Sequence, residues 1–204
     1  MLACALSAHG DAKGLVLPSK IAKYQVLLMP VIVKGDRSAV EYCEKYAKLL
    51  KAAKISVYLD DSDKSVGDKY FYWEMKGVPL RVEVGPRDIK NNCAMLVRRD
   101  SGSKTTVSLA EGDEALVKAV QENLADQDAK LFAKSKEYAD SMVTTCTTLE
   151  EAAEVLKTKG GFARVPFFSM GMDGKEGDKI IHQATGGEVR GFVVADVMEQ
   201  GKYK

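Results

Sequence analysis

Apolar and polar residues follow two different periods in the first third of this chain. Two apolar runs rich in β-branched residues, 24–33 and 55–59, predict buried strands. The residues between them predict a helix capped by Ser38, because their apolar positions recur three or four residues apart. These positions are Val40, Cys43, Ala47 and Leu50. Strand, helix and strand in this order favour parallel pairing of the two strands.

The middle of the chain predicts four further elements. They are a helix ended by Gly77 and Pro79, a strand with alternating apolar and charged residues, an antiparallel hairpin and a long amphipathic helix. These elements cover residues 65–76, 80–84, 94–97 with 105–109, and 112–138. We therefore expect an α/β fold, a mixed sheet flanked by helices, up to about residue 140.

Residues 145–204 predict a small second domain of the α+β class. A helix is expected around the apolar positions from Leu149 to Leu156. A strand, a glycine-rich loop and a last strand should follow, over residues 163–168, 171–178 and 189–195.

Composition narrows the kinds of site this chain can carry. Of the 204 residues, 46% are hydrophobic and 29% are charged, which is typical of globular proteins. No apolar run reaches the roughly 18 residues of a membrane span. The four cysteines lie far apart without a C-x-x-C pair, so we expect no metal site and buried, reduced thiols at Cys43 and Cys93. This use of cysteine fits a cytoplasmic location.

Charge is unevenly distributed along the chain. The net charge is +1, yet residues 64–104 hold nine bases against five acids, so this segment is +4 and the rest is −3. A basic segment within a neutral chain suits local contact with phosphates. A solvated sheet edge would have the same composition, and charge alone leaves both interpretations open.

The stretch from Trp73 to Asp88 carries the residues best suited to recognition. The Glu74 carboxylate can accept the N1–H and N2–H donors of guanine, and the Arg81 fork can donate to guanine O6 and N7. The aromatic run Phe71–Trp73 offers stacking faces. From these residues alone, a plain ion pair between Glu74 and Arg81 at a helix–strand corner is the alternative.

Three segments, in order, resemble those of prolyl-tRNA synthetases. Residues 9–22 (HGDAKGLVLPSKIA) resemble the segment that closes the class II catalytic core. Residues 73–88 (WEMKGVPLRVEVGPRD) and 97–102 (VRRDSG) resemble the signature and hairpin of the family's anticodon-binding domain. The resemblance implies the tail end of the catalytic core over residues 1–22, a class II anticodon-binding-domain sandwich over 23–144, and the family's C-terminal domain over 145–204.

The resemblance also implies roles for individual residues. Four residues should bind the proline anticodon, the first two of them at its two guanines. Four basic residues should contact phosphates of its loop, and three should be a remnant of the active site. They are, in that order, Glu74, Arg81, Trp73 and Lys76; Arg87, Lys90, Arg98 and Arg99; and His9, Gly10 and Asp11.

For the parent protein the resemblance implies a homodimeric proline–tRNA ligase that uses ATP with Mg²⁺. Its partners would be proline tRNA and the catalytic domain of the same protein. The first two catalytic motifs are not in this chain and the third-motif arginine would fall before Met1, so the chain alone is expected to be inactive. The main alternative is a non-catalytic anticodon-like domain that acts as an assembly or regulatory subunit. An intact small enzyme is disfavoured, because no serine-nucleophile, P-loop or zinc-protease motif is present.

Overall fold

The computed structural model describes residues 2–32, 37–110, 112–166 and 175–191. The chain divides into two compact units, residues 1–135 and 136–204, which are described separately. In the described segments no helix has the length and apolar character needed to cross a bilayer. The same segments hold no group of three or more His, Cys, Asp or Glu side chains that could bind a metal ion.

The first unit is built on a five-stranded mixed sheet in the order β2-β1-β3-β4-β5. Strand β1 pairs in parallel with β2 and β3, whereas β4 is antiparallel to both β3 and β5. The expected α/β fold with a mixed sheet is therefore confirmed. In chain order the elements are α1 (Leu2–His9), β1 (Val26–Pro30), α2 (Ser38–Ala52), β2 (Val57–Leu59), α3 (Val66–Lys76), β3 (Leu80–Val84), α4 (Pro86–Lys90), β4 (Cys93–Arg98), β5 (Lys104–Ser108) and α5 (Glu114–Ser141), which continues into the second unit.

One face of the sheet carries the main hydrophobic core. Alternate residues of β3 point into it, as period-two patterning requires, and helices α2 and α5 cover it with their apolar stripes. The buried residues include Val26, Leu28, Cys43, Tyr46, Leu50, Val82, Leu96, Leu116 and Val120. The other face holds a smaller cluster in which Trp73 and Val78 cover Leu27 and Met29. Because both faces are covered at β1, every residue of that strand is buried.

Local capping places α3 as expected but α2 differently. Ser65 caps α3 by accepting a hydrogen bond from the Asp68 amide, and Gly77 ends the helix in the left-handed conformation at φ +71°. In α2, however, Ser38 is the first helical residue, and Arg37 occupies the cap position without a side-chain hydrogen bond. The prediction of a Ser38 cap was wrong by one position.

Helix α4 was not predicted. Its five residues are too few to show an apolar period, and the segment is set by local signals instead. Pro86 starts the helix, and the Asp88 carboxylate accepts the Gly85 amide hydrogen at 2.8 Å.

The second unit contains a short parallel pair, β6 (Val143–Thr145) with β7 (Phe162–Arg164), and two packed helices, α6 (Leu149–Thr158) and α7 (Lys175–Thr185). Thr148 and Glu151 form a capping box at the start of α6. The loop expected over 171–178 is wrong for residues 175–178, which are helical, and residues 189–191 are not in a strand. The rest of the predicted loop and last strand, residues 171–174 and 192–195, lies outside the described residues, as do residues 167–168 of the other predicted strand.

Candidate nucleic-acid interface

The helix–strand corner between α3 and β3 brings Glu74 and Arg81 together. Glu74 lies in the last turn of α3, and the left-handed Gly77 reverses the chain so that β3 begins at Leu80. The Arg81 Nη1 atom is 3.6 Å from Glu74 Oε1, which is an ion pair longer than a hydrogen bond. The two side chains that the sequence placed in one reading site are therefore neighbours.

Two residues that sequence reasoning missed hold Arg81 in place. Its Nε donates to Glu83 Oε1 at 2.7 Å, and its guanidinium carbon lies 4.0 Å from the centre of the Tyr70 ring. Burial raises the pKa of Tyr70 to about 12, and the Glu83 carboxylate adds to the effect, so the phenol stays protonated. Their spacing in the sequence could have revealed them. Tyr70 is four residues before Glu74 on a helix and Glu83 is two after Arg81 on a strand, so each lies on the same face as its neighbour.

Glu74 keeps its capacity to accept hydrogen bonds. Its side chain is 27% exposed, against 12% for Arg81. Its second ionic neighbour, Lys13 Nζ, lies 3.9 Å away. Among the residues that the structure describes, none donates a hydrogen bond to the Glu74 carboxylate. A loosely paired acceptor beside a fixed donor fork is suited to a ligand that presents both donors and acceptors.

The face of the sheet that carries Arg81 continues across β4 and β5. Cross-strand register places Arg81 opposite Val97 and then Lys104, and Glu83 opposite Met95 and then Thr106. Lys104 and Thr106 are exposed, so this side of the sheet is open beyond the pair. We call Arg81, Glu83, Met95, Lys104 and Thr106 the reading face.

Trp73 does not present the stacking face that was expected of it. Its ring is buried against Leu27, Met29 and Val78, and its Nε1 donates to Asp60 Oδ2 at 2.6 Å. Burial would raise the pKa of Asp60, but hydrogen bonds from Ser62 and Trp73 outweigh it and the pKa is lowered.

Two other aromatic rings of α3 are exposed. Phe71 is 78% exposed and Tyr72 is 42% exposed. Lys76 is exposed, with its Nζ 5.5 Å from the centre of the Tyr72 ring.

The basic residues expected to contact phosphates fall into two groups. Arg98 is buried and donates to the Asp100 carboxylate through two nitrogens, at 2.9 and 2.6 Å, and also pairs with Asp126. Arg99 is buried and holds both oxygens of Asp11, at 2.6 and 2.7 Å, while its Nε donates to the Glu74 carbonyl at 3.0 Å. Both guanidinium groups are engaged by partners within the fold, so the prediction that they contact phosphates was wrong for this structure.

Arg87 and Lys90 differ from this buried pair. Both lie exposed on α4, directly after β3. Among the described residues, neither side chain has a carboxylate within ion-pair distance. Of the four predicted phosphate contacts, these two therefore remain candidates.

The segment expected to be an active-site remnant packs against the end of α3. His9 ends α1, Gly10 and Asp11 lead into a turn closed between Asp11 and Gly14, and the Leu15 amide donates to the Met75 carbonyl at 3.2 Å. A Cβ on Gly14 would lie 2.5 Å from the Met75 Cα atom, and its φ of +131° also requires glycine. The Arg99 guanidinium lowers the pKa of Asp11 well below its usual range. Asp11 is therefore an ion-pair partner in this structure.

Known proteins resemble this chain in both sequence and fold. The family described as Anticodon binding domain matches residues 25–123. A proline–tRNA ligase of Methanococcoides burtonii is 40% identical over 100% of this chain and 40% of its own length. The chain is thus similar along its whole length to the C-terminal part of a prolyl-tRNA synthetase.

Further relatives agree with this assignment. The proline–tRNA ligase of Ruminiclostridium cellulolyticum is 37% identical over 93% of this chain and 38% of its own length. The solved Giardia lamblia prolyl-tRNA synthetase in complex with prolyl-adenylate matches with a TM-score of 0.81 and 35% identity, over 94% of this chain and 42% of that one. The chain thus spans about two fifths of these synthetases.

Proposed function

We propose that this chain is the anticodon-reading part of a proline–tRNA ligase and that Glu74 and Arg81 recognise guanine in the proline anticodon. The observation that carries the proposal is the pairing of a loosely held carboxylate with a fixed guanidinium, 3.6 Å apart, at the rim of the open reading face. The family supports the substrate class, and the chemistry of the pair supports the choice of base.

The two side chains match adjacent groups on the edge of a guanine. The Watson–Crick edge presents the O6 acceptor beside the N1–H and N2–H donors. Arg81 would donate to O6 while Glu74 accepts from N1–H and N2–H. Adenine has an amino donor in place of O6 and an acceptor at N1. Its amino group would therefore face the Arg81 donors, and its N1 would face the Glu74 carboxylate, which is also an acceptor. A mismatch of this kind typically costs about 1–3 kcal/mol.

Phosphate contacts would come from Arg87 and Lys90. Both are exposed and unpaired among the described residues, and both follow the strand that carries Arg81. Phosphate contacts fix the register of the RNA, whereas base contacts specify its sequence. We therefore expect these two residues to add affinity without selecting among tRNAs.

The remaining chemistry belongs to the whole protein. There, ATP with Mg²⁺ would be the substrate that activates proline in a catalytic domain, and the enzyme would act as a cytoplasmic homodimer. Among the described residues, the segment 9–11 offers no free carboxylate to a Mg²⁺ ion, because both oxygens of Asp11 accept hydrogen bonds from Arg99. We assign no step of the ligation to this chain.

The test measures binding at fixed salt to proline tRNA and to the same tRNA with its two anticodon guanines changed to adenine. Glu74→Gln keeps the shape of the side chain and removes its charge. We expect it to weaken binding of proline tRNA by about 5- to 150-fold, the equivalent of about 1–3 kcal/mol, and to reduce discrimination between the two tRNAs. Glu122→Gln, an exposed change of the same charge on α5, is the matched control.

Lys90→Gln tests the phosphate role separately. It should weaken both tRNAs equally and lower the slope of log affinity against log salt by about one. Equal binding of both tRNAs by the unmodified chain would refute guanine reading. Absence of any tRNA binding would favour the assembly-subunit alternative.

A further inference from the structure

A pocket lies against a different face of α3 from the one that carries Glu74. Its volume is about 440 Å³, within the usual range for a small ligand. The helix contributes residues 69, 72, 73 and 76, which recur at helical spacing. The segment that precedes β1, together with β2 and the loop after it, supplies the opposite wall. We call it the tyrosine–lysine pocket, after its lining residues Tyr24, Tyr58, Tyr72, Lys23, Lys64 and Lys76.

Aromatic rings form the walls of the tyrosine–lysine pocket. Tyr24 and Tyr58 lie together, with ring centres 5.1 Å apart, and Tyr72 meets the edge of Trp73 at 5.1 Å. Trp73 also contacts Tyr58, with ring centres 4.7 Å apart, so its indole links the two walls. Tyr58 and Tyr72 are both exposed. Partly exposed tyrosines around a cavity offer π-faces to a planar ring.

Positive charge surrounds these rings without matching acids. The Nζ atoms of Lys64 and Lys76 lie 5.3 and 5.5 Å from the centre of the same Tyr72 ring, and Lys23 Nζ lies 5.3 Å from the Tyr24 ring. None of the three has a carboxylate within 4 Å in the part of the chain that the structure describes. Because both ammonium groups lie near the same ring, an anion at that ring would be attracted by both.

The acidic residue in the lining is already neutralised. Asp60 accepts hydrogen bonds from Trp73 and Ser62 and lies 3.8 Å from the buried Lys69 ammonium. Lys69 in turn donates to the Asp60 carbonyl at 3.1 Å. Once this pair is discounted, the lining carries three positive charges and exposed aromatic rings.

We infer that the tyrosine–lysine pocket binds one unstacked nucleotide, with its base against the tyrosine rings and its phosphate on Lys64 and Lys76. Stacking accepts any base, and the described lining shows no free carboxylate to select guanine, so binding here does not depend on base identity. The nucleotide is either a residue of a bound RNA loop, in which case the inference rests on the proposed function, or a free mononucleotide.

Trp73 provides the signal for the test. It is the only tryptophan in the chain and lies in the pocket wall, so an occupant should change its fluorescence. The full chain is titrated with each of the four ribonucleoside monophosphates and, separately, with proline tRNA and its guanine-to-adenine variant. The pocket variants are Tyr72→Leu and Lys64→Gln. Their matched controls are Phe132→Leu, an exposed ring on α5, and Lys118→Gln, an exposed lysine on the same helix.

Each pocket variant should weaken binding by about five- to tenfold, and each control by about twofold or less. Losses that are equal for both tRNAs identify the RNA as the source of the nucleotide. A loss for the monophosphates alone identifies a free mononucleotide.

The inference is overturned if both pocket variants bind every probe as their controls do. Failure of the proposed function gives a different result, because the unmodified chain would then bind the two tRNAs equally whatever the pocket variants do. Unchanged urea midpoints of the variants establish that they are folded.

Discussion

The ion pair between Asp11 and Arg99 gives the sharpest test of how this structure differs from expectation, because Arg99 was predicted to contact RNA. The Arg99 side chain is only 4% exposed and gives two hydrogen bonds to Asp11. In Asp11→Asn one oxygen remains as an acceptor, while the new amide group sets donors against a guanidinium that has little access to water.

The expected loss of stability depends on how deeply each partner of the ion pair is buried. Breaking a fully buried ion pair costs about 3–5 kcal/mol. Asp11 is 43% exposed, so water can replace part of what is lost. We expect Asp11→Asn to lower the free energy of unfolding by about 1–2 kcal/mol, which for a urea m-value of about 2 kcal/mol/M is a midpoint lower by about 0.5–1 M.

Urea unfolding followed by Trp73 fluorescence reports the stability of the first unit, which contains the ion pair. Trp73 is the only tryptophan and is buried in residues 1–135, so the second unit does not contribute to the signal. Asp63→Asn is the matched control, since Asp63 is exposed and has no ion pair among the described residues. Its midpoint should change by less than about 0.25 M, the equivalent of about 0.5 kcal/mol.

The pH dependence provides an independent check with a defined sign. Arg99 lowers the pKa of Asp11 in the folded state below the value of about 3.9 that an unfolded aspartate has. The stabilisation is therefore complete above about pH 4 and is lost as the pH falls through the folded-state pKa. The difference between Asp11→Asn and the unmodified chain should shrink from pH 5 to pH 3. If Asp11→Asn matches Asp63→Asn at pH 7, or if the difference does not change with pH, the pair does not stabilise the fold.

Two further predictions follow from close contacts and from burial. Gly77→Ala should lower the free energy of unfolding by about 2–4 kcal/mol, because its φ is +71° and the added Cβ would lie 2.5 Å from the Leu15 Cβ. Gly102→Ala, at φ +67° with no atom within 4 Å of its Cβ, should cost only about 1–2 kcal/mol in the same urea assay, and equal losses would refute the contact. Burial raises the pKa of Cys43 to about 12. Alkylation at pH 8 should therefore label the exposed Cys4 quickly and spare Cys43 until the protein unfolds. Equally fast labelling of the two cysteines, followed by peptide mass spectrometry, would contradict this.

Helices and strands that are determined by neighbouring residues could be predicted from the sequence alone. Helix α3 begins at a serine cap and ends at a glycine that adopts a left-handed conformation, and both signals act within four residues. Strand β3 follows from alternation along five residues. The ten-residue helix α6 was found by its apolar spacing, whereas the five-residue α4 was too short to show a period. The closeness of Glu74 and Arg81 was also readable, because a short Gly-x-Pro corner joins their helix and strand.

The tertiary structure determined which residues far apart in the sequence became partners. Arg98 pairs with Asp126 and Arg99 with Asp11, across 28 and 88 positions. These two arginines are therefore buried, whereas Arg87 is exposed. Trp73 became buried because α3 turns that ring onto β1. The tyrosine–lysine pocket exists because the segment before β1, strand β2 and helix α3 meet there. Periods and caps depend on near neighbours and can be read from the chain, whereas the burial of a charge or a ring depends on which distant surface covers it.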